Sequence, residues 1–132
     1  MSERVVRVGI ATLEQQKARL MAIAKGKYKP SADEPKIWFS SIESLSQTLS
    51  TKNQMLLEII AESKPASIAD LEQLSGRSAS NLSRTLKNLA RLGFVRMERS
   101  GRALLPRALY DRVQIDIPLL AAVSHRPQAG CH

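Results

Sequence analysis

The chain has 132 residues, 43% hydrophobic and 24% charged, a size that suits one domain of ordinary dimensions with an appendage and excludes two comfortable independent cores. Its net charge of +8 and pI near 10.2 favour a polyanionic partner. No apolar run approaches the ~20 residues needed to cross a bilayer, and the start MSERVVRVGI lacks the apolar stretch of a secretory signal. A cytoplasmic chain with no membrane partner is therefore expected. Cys131 stands alone, so no intrachain disulfide can form, and with only His125 and His132 near it a structural zinc site is not expected. Aromatic residues are sparse (Tyr28, Trp38, Phe39, Phe94, Tyr110), and a core of Leu, Ile, Val and Ala suits packed helices.

Arg4 to Ile10 alternates around Val5, Val6, Val8 and Ile10 as a short strand does, with Gly9 marking a bulge or a close approach. Thr12 and Gln15 have capping-box spacing and open a helix whose apolar stripe is Leu13, Leu20, Met21 and Ala24. Gly26 ends it near Lys25, and GKYKPSADEP reads as a loop. Lys25, Lys27 and Lys29 cluster around Tyr28 there, and a solvated loop explains them better than a nucleic-acid footprint. Lys36 to Phe39 is a brief β-like run in which Trp38 and Phe39 read as packing residues rather than stacking platforms.

Three further helix starts carry Ser or Thr followed three residues later by an acid or amide: Ser40 with Glu43, Thr51 with Gln54, and Ser67 with Asp70. They predict helices at about 41–49, 52–63 and 68–75, the middle one made a core helix by Leu56, Leu57, Ile59 and Ile60. Gly76 turns the chain into a helix at about 79–92 with Ser78 as N-cap and Gly93 as C-cap. Strands at Phe94–Arg99 and Arg102–Leu105 flank a Ser100-Gly101 hairpin, and Val113 to Ile117 is a last alternating strand.

The stretch from Ser67 to Leu105, SIADLEQLSGRSASNLSRTLKNLARLGFVRMERSGRALL, thus gives two helices, a tight turn and a β-hairpin. That order is the winged helix-turn-helix, which places its second helix in the major groove of DNA. Leu82, Leu86 and Leu89 at i, i+4 and i+7 form a buried stripe and turn Ser80, Asn81, Ser83, Arg84, Lys87 and Arg91 outward. From Arg77 to Arg102 seven cations (Arg77, Arg84, Lys87, Arg91, Arg96, Arg99, Arg102) meet one anion, Glu98, which concentrates +6 of the chain's +8 on 26 residues. Asn81 suits a bidentate pair with adenine and Arg84 one with guanine, each contributing about 1–3 kcal/mol of discrimination. Arg99 and Arg102 at the hairpin tip suit phosphate contact better than insertion into a narrow minor groove. The DNA-contacting set is expected to be Arg77, Ser78, Ser80, Asn81, Ser83, Arg84, Lys87, Arg91, Arg99 and Arg102.

Through SIADLEQLSG, SNLSRTLKNLARLGFV and RMERSGRALL the chain resembles the prokaryotic winged-helix transcriptional regulators of the MarR-like and ArsR-like group. With IESLSQTLSTKNQMLLEII ahead of them, it is more narrowly similar to small winged-helix, antitoxin-type regulators often encoded beside a toxin gene, over roughly Ile42 to Pro118. The resemblance implies a promoter-occupying repressor, or alternatively an antitoxin that neutralises a toxin and autoregulates its operon, or a MarR-type sensor of a small ligand.

Catalytic groupings are lacking: no Ser-His-Asp or Cys-His set and no glycine-rich phosphate loop can be placed, and Glu58 with Glu62 reads as an exposed acidic helix face rather than a metal site. No enzyme activity, metal or cofactor is expected. The expected fold is mainly α with a small β component, a winged helix-turn-helix at 40–119 preceded by a strand-helix extension at 1–39 and followed by a disordered tail at 120–132. The extension, Arg4 to Lys25 with Ile37 to Phe39 and the C-terminal strand, is expected to form a homodimer or hold a partner such as a toxin.

Overall fold

The computed structural model describes residues 3–119, so the tail at 120–132, with His125, Cys131 and His132, lies outside the described residues. Those residues form a mixed α/β fold of five helices and five strands. In order these are β1 (Val5–Ile10), α1 (Leu13–Ala24), β2 (Ile37–Phe39), α2 (Ile42–Thr48), α3 (Thr51–Ser63), α4 (Ile68–Ser75), α5 (Ala79–Leu92), β3 (Val95–Ser100), β4 (Ala103–Ala108) and β5 (Arg112–Asp116). Two compact units result: among the described residues, one is Glu3 and Arg4 together with Ser46–Arg112, the other Val5–Leu45 with 113–119.

In the second unit β1 is the central strand of a sheet ordered β2-β1-β5. It pairs with β2 in parallel, Val8 opposite Ile37 and Ile10 opposite Phe39, and α1 makes the crossover that a parallel pair requires. The alternation of β1 buries Val6 and Val8, against which Ile37 and Phe39 are also buried residues of this unit's core. Ile37 and Phe39 are 6% and 5% exposed, so the parallel pairing alone gives both residues the packing role read for Phe39. On α1 no residue is buried, and its Leu13, Leu20 and Met21 are 73%, 62% and 53% exposed. Thr12 caps this helix as expected, its Oγ accepting from the Gln15 N–H while the Gln15 carboxamide accepts from the Thr12 N–H.

Trp38, across from Gly9 in the β1–β2 register, packs its six-membered ring against the glycine. A Cβ at Gly9 would lie 2.5 and 2.7 Å from Cζ3 and Cε3 of Trp38 and 3.0 Å from Cγ of Pro35. These are rigid ring atoms, so Gly9→Ala should destabilise this unit by about 1–3 kcal/mol through overpacking. The chain's single tryptophan reports it directly: denaturant unfolding followed by Trp38 fluorescence should show the earlier midpoint, and an unchanged midpoint would contradict the packing. The Arg19 guanidinium lies 5.2 Å from the Trp38 ring and 6.0 Å from Tyr28, with the Glu34 carboxylate at 3.8 Å. The Tyr28 hydroxyl donates to Glu34, and burial, then this hydrogen bond and the carboxylate charge, push its pKa up to about 12. Tyr28 is thereby a packed residue of this cluster, while Lys25, Lys27 and Lys29 stay exposed.

In the first unit the core is Leu56 and Ile60 of α3, Leu71 of α4, and Leu82 and Leu86 of α5, with Ile59, Ile68, Met97 and Ala108 packed around them. Each buried leucine or isoleucine contributes about 1.5–3 kcal/mol. Two helix starts differ from the expected capping boxes: Ser41 rather than Ser40 caps α2, accepting from the Ser44 N–H, and Ser50 rather than Thr51 caps α3, accepting from the Asn53 N–H. Adjacent Ser and Thr residues offer two overlapping registers, and tertiary packing selects one. Ser67 caps α4 as expected, although the Asp70 carboxylate turns back to the Ala66 N–H rather than to the cap.

The antiparallel pair β3–β4 has Ser100 opposite Ala103, so its two-residue turn is Gly101-Arg102, one residue beyond the expected Ser100-Gly101. β4 also runs on through Pro106, because in a two-stranded ribbon each strand has a free side where a missing N–H costs no ladder bond. At the start of β5, Arg4 pairs with Asp111 at 3.1 Å and Glu3 with Arg112 at 2.8 Å. The bonds from Arg112 and Arg4 hold the Glu3 and Asp111 carboxyls below the usual carboxylate range.

Candidate nucleic-acid interface

The expected site falls on α5, the turn before it and the hairpin after it. Gly76 (φ 72°) closes α4 in the left-handed region, where a side chain would be strained, and its N–H donates to Glu72 O. Ser78 then caps α5, its Oγ accepting from the Asn81 N–H at 3.2 Å, and Gly93 (φ 100°) ends it. Between these stops Leu82, Leu86 and Leu89 are 0–1% exposed, which fixes the rotation of the helix about its axis. Ser80, Arg84, Lys87 and Arg91 follow at i, i+4, i+7 and i+11 on the opposite side, and all four, like Ser83 and Ser78, are exposed. The structure therefore brings seven of the ten expected residues, Ser78 to Arg91, onto one helix and its cap, although Asn81 is half-buried.

Arg99 is near the end of β3 and Arg102 is in the hairpin turn, both exposed. Among the described residues Arg84, Lys87, Arg99 and Arg102 have no carboxylate in ion-pair range, while Arg91 donates to Asn88 Oδ1 at 2.6 Å. The cation withdrawn from the surface charge is Arg96, paired with Glu98 at 2.9 Å. Such a row of free guanidinium and ammonium groups interspersed with hydroxyls can neutralise an anionic polymer and donate hydrogen bonds to it.

Arg77 is the expected residue whose situation differs most. It is half-buried, and its guanidinium donates from Nε to Asn81 Oδ1 (2.6 Å), from one terminal nitrogen to Asn53 Oδ1 (3.1 Å) and from the other to Thr85 Oγ1 (2.9 Å). Asn53 is held from its other end, its amide nitrogen donating to Thr48 O at 2.9 Å. Asn53 and Thr85 were not among the expected site residues. Asn81 and Thr85 are i, i+4 neighbours on α5 and Arg77 immediately precedes its N-cap, a local pattern visible in the sequence, whereas Asn53 lies 24 residues from Arg77 and left no local signal.

Glu58 and Glu62 are exposed, and among the described residues no cluster of three or more His, Cys, Asp or Glu could hold a metal ion. Nor, among them, is any helix long and apolar enough to cross a membrane.

No curated protein matches the chain. Among solved structures it is similar to the crystal structure of the predicted DNA-binding transcriptional regulator from E. coli, with 21% identity over 71% of this chain and 84% of that chain and a TM-score of 0.45. The family model HVO_A0114 matches residues 48–115, which span α3, α4, α5 and the hairpin and make up just over half of the chain. The protein whose outward basic helix follows a glycine turn and precedes a two-arginine hairpin is thus a member of the HVO_A0114 family.

Proposed function

We propose that the chain is a sequence-specific double-stranded DNA-binding transcriptional regulator, a homodimeric repressor that occupies a promoter. In this reading α4 and α5 are the helix-turn-helix, α5 is the reading helix, and β3–β4 is the wing. The observation that carries it is the sidedness of α5. Three leucines are buried to 0–1% exposure while Ser80, Ser83, Arg84, Lys87 and Arg91 lie exposed on the other side, and the exposed arginines of the hairpin follow in the chain. A soluble helix needs a polar face, but it needs neither this excess of one sign nor a second cationic element following it.

Short polar groups at the first turn (Ser80, Asn81) would approach base edges, and Arg84 one turn later would reach guanine. Arg99 and Arg102 would hold phosphates. Two copies related by a twofold axis would read half-sites about 10–10.5 bp apart. The exposed Leu13, Leu20 and Met21 of α1 supply an apolar face for the second copy. That same face supports a second reading, an antitoxin whose α1 holds a toxin while α5 autoregulates the operon.

Asn81→Ala with Arg84→Ala is expected to erase sequence preference and leave the fold intact, each lost base contact costing about 1–3 kcal/mol. A gel shift with an operator selected from random duplexes checks it. Unchanged discrimination by the double variant would take the reading role away from α5.

A further inference from the structure

We infer that Arg77 is a positioning residue that sets the donor and acceptor pattern of the reading helix, rather than a cation that meets phosphate. The inference rests on the DNA-binding reading above and specifies how its first turn reads a base. A guanidinium has only donors, so whatever faces it must be an acceptor. With Nε of Arg77 2.6 Å from Oδ1, the Asn81 carboxamide can face it only with its oxygen, and the amide nitrogen points elsewhere. Asn81 is thereby presented as a donor toward a base edge that carries acceptors: guanine O6 and N7, adenine N7 or thymine O4. Cytosine, whose major-groove group is a donor, is the base it discriminates against.

The fixing element lies outside α5. Arg77 is anchored by Asn53 of α3, and Asn53 cannot flip, because its nitrogen donates to Thr48 O while its oxygen accepts from Arg77. Thr85 accepts from the remaining arm of the fork at 2.9 Å and keeps the guanidinium in the plane that reaches Asn81. Four side chains and one carbonyl form a single connected network from the end of α2 to α5, in which each member removes a rotational choice from the next. A lysine would retain the charge, but its tetrahedral ammonium cannot serve three acceptors in the planar fork geometry.

The test uses the full chain, an operator selected from random duplexes, and the three single-base variants at each operator position, with affinities measured by fluorescence anisotropy over a salt series. Arg77→Lys, Asn81→Ala and the double variant are compared with the parent. Arg77→Lys is expected to lose about tenfold of the discrimination against cytosine at one position per half-site. Its dependence on salt should match the parent's, because the charge is kept. In the Asn81→Ala background Arg77→Lys should cause no further loss of preference, since it acts through Asn81. If Arg77→Lys loses its cooperative melt, Asn53→Ala replaces it; that change leaves every charge and all of α5 intact and should relax the same position. Uniform weakening on all duplexes, additive with Asn81→Ala and with preference intact, would overturn the inference and make Arg77 a phosphate contact. A parent that binds no duplex at any salt would instead overturn the DNA-binding reading itself, an outcome distinct from the first because it shows in the parent.

Discussion

Leu86→Asp is expected to abolish the cooperative unfolding transition of the unit formed around Ser46–Arg112. Leu86 is 1% exposed and packs with Leu56, Ile60, Leu71 and Leu82, where α3, α4 and α5 meet. Loss of a buried leucine side chain costs about 2–5 kcal/mol when a cavity is left. An ionised carboxylate with no partner in the same place adds several more, and protonating it only exchanges one penalty for another. Against a typical domain stability of about 5–15 kcal/mol the sum removes most or all of the folded population. The neighbouring position supplies the control. Lys87 is exposed on the opposite side of α5, so Lys87→Asp changes the charge by two without touching the core and should leave stability within about 0.5 kcal/mol. Thermal melts by far-UV circular dichroism therefore separate two ways of losing function: Leu86→Asp through structure, Lys87→Asp through charge alone. A parental melt for Leu86→Asp would mean that the faces of α5 are reversed.

The features of α5 that this contrast uses are legible in the sequence because they are local. Ser78, Gly93 and the leucine spacing lie within one helix and specify its ends and its rotation without reference to the rest of the chain. The same locality explains the capping of α1 by Thr12 and Gln15. Legibility fails where two local signals compete. Ser40 with Ser41, and Ser50 with Thr51, give overlapping cap registers that differ by one residue, and the hairpin turn moved from Ser100-Gly101 to Gly101-Arg102 in the same way. It fails again where partners are far apart in the chain. The parallel pairing of β1 with β2, which buries Ile37 and Phe39, and the addition of β5 to β1 depend on contacts that no window of the sequence contains. Arg77 belongs to this second class. By type and position it reads as one more cation of a basic stretch, and only the 3.1 Å approach of Asn53 from α3 reveals a guanidinium occupied by neutral acceptors.

If the basic face of α5 and the hairpin meets duplex DNA, the expected effect of salt on binding is as large as that of Leu86→Asp on folding. Arg84, Lys87, Arg91, Arg99 and Arg102 are exposed, and a dimer would bring them to the duplex twice. If 6–10 phosphates are neutralised, counterion release requires affinity to fall by about 10³–10⁵ between 50 and 200 mM salt. Arg99→Ala with Arg102→Ala should flatten that dependence and leave the preferred sequence unchanged, because phosphate contacts carry no base information. The direct measurement is fluorescence anisotropy of a labelled duplex titrated with the full chain across this salt range, with random DNA and DNA from upstream of its own reading frame. Tight binding is expected at 50 mM, weakening steeply and log-linearly with salt and tighter on one sequence than on random duplex. A flat trace at 50 mM with both kinds of duplex would contradict it, leaving the +6 of this stretch as charge without a nucleic-acid partner.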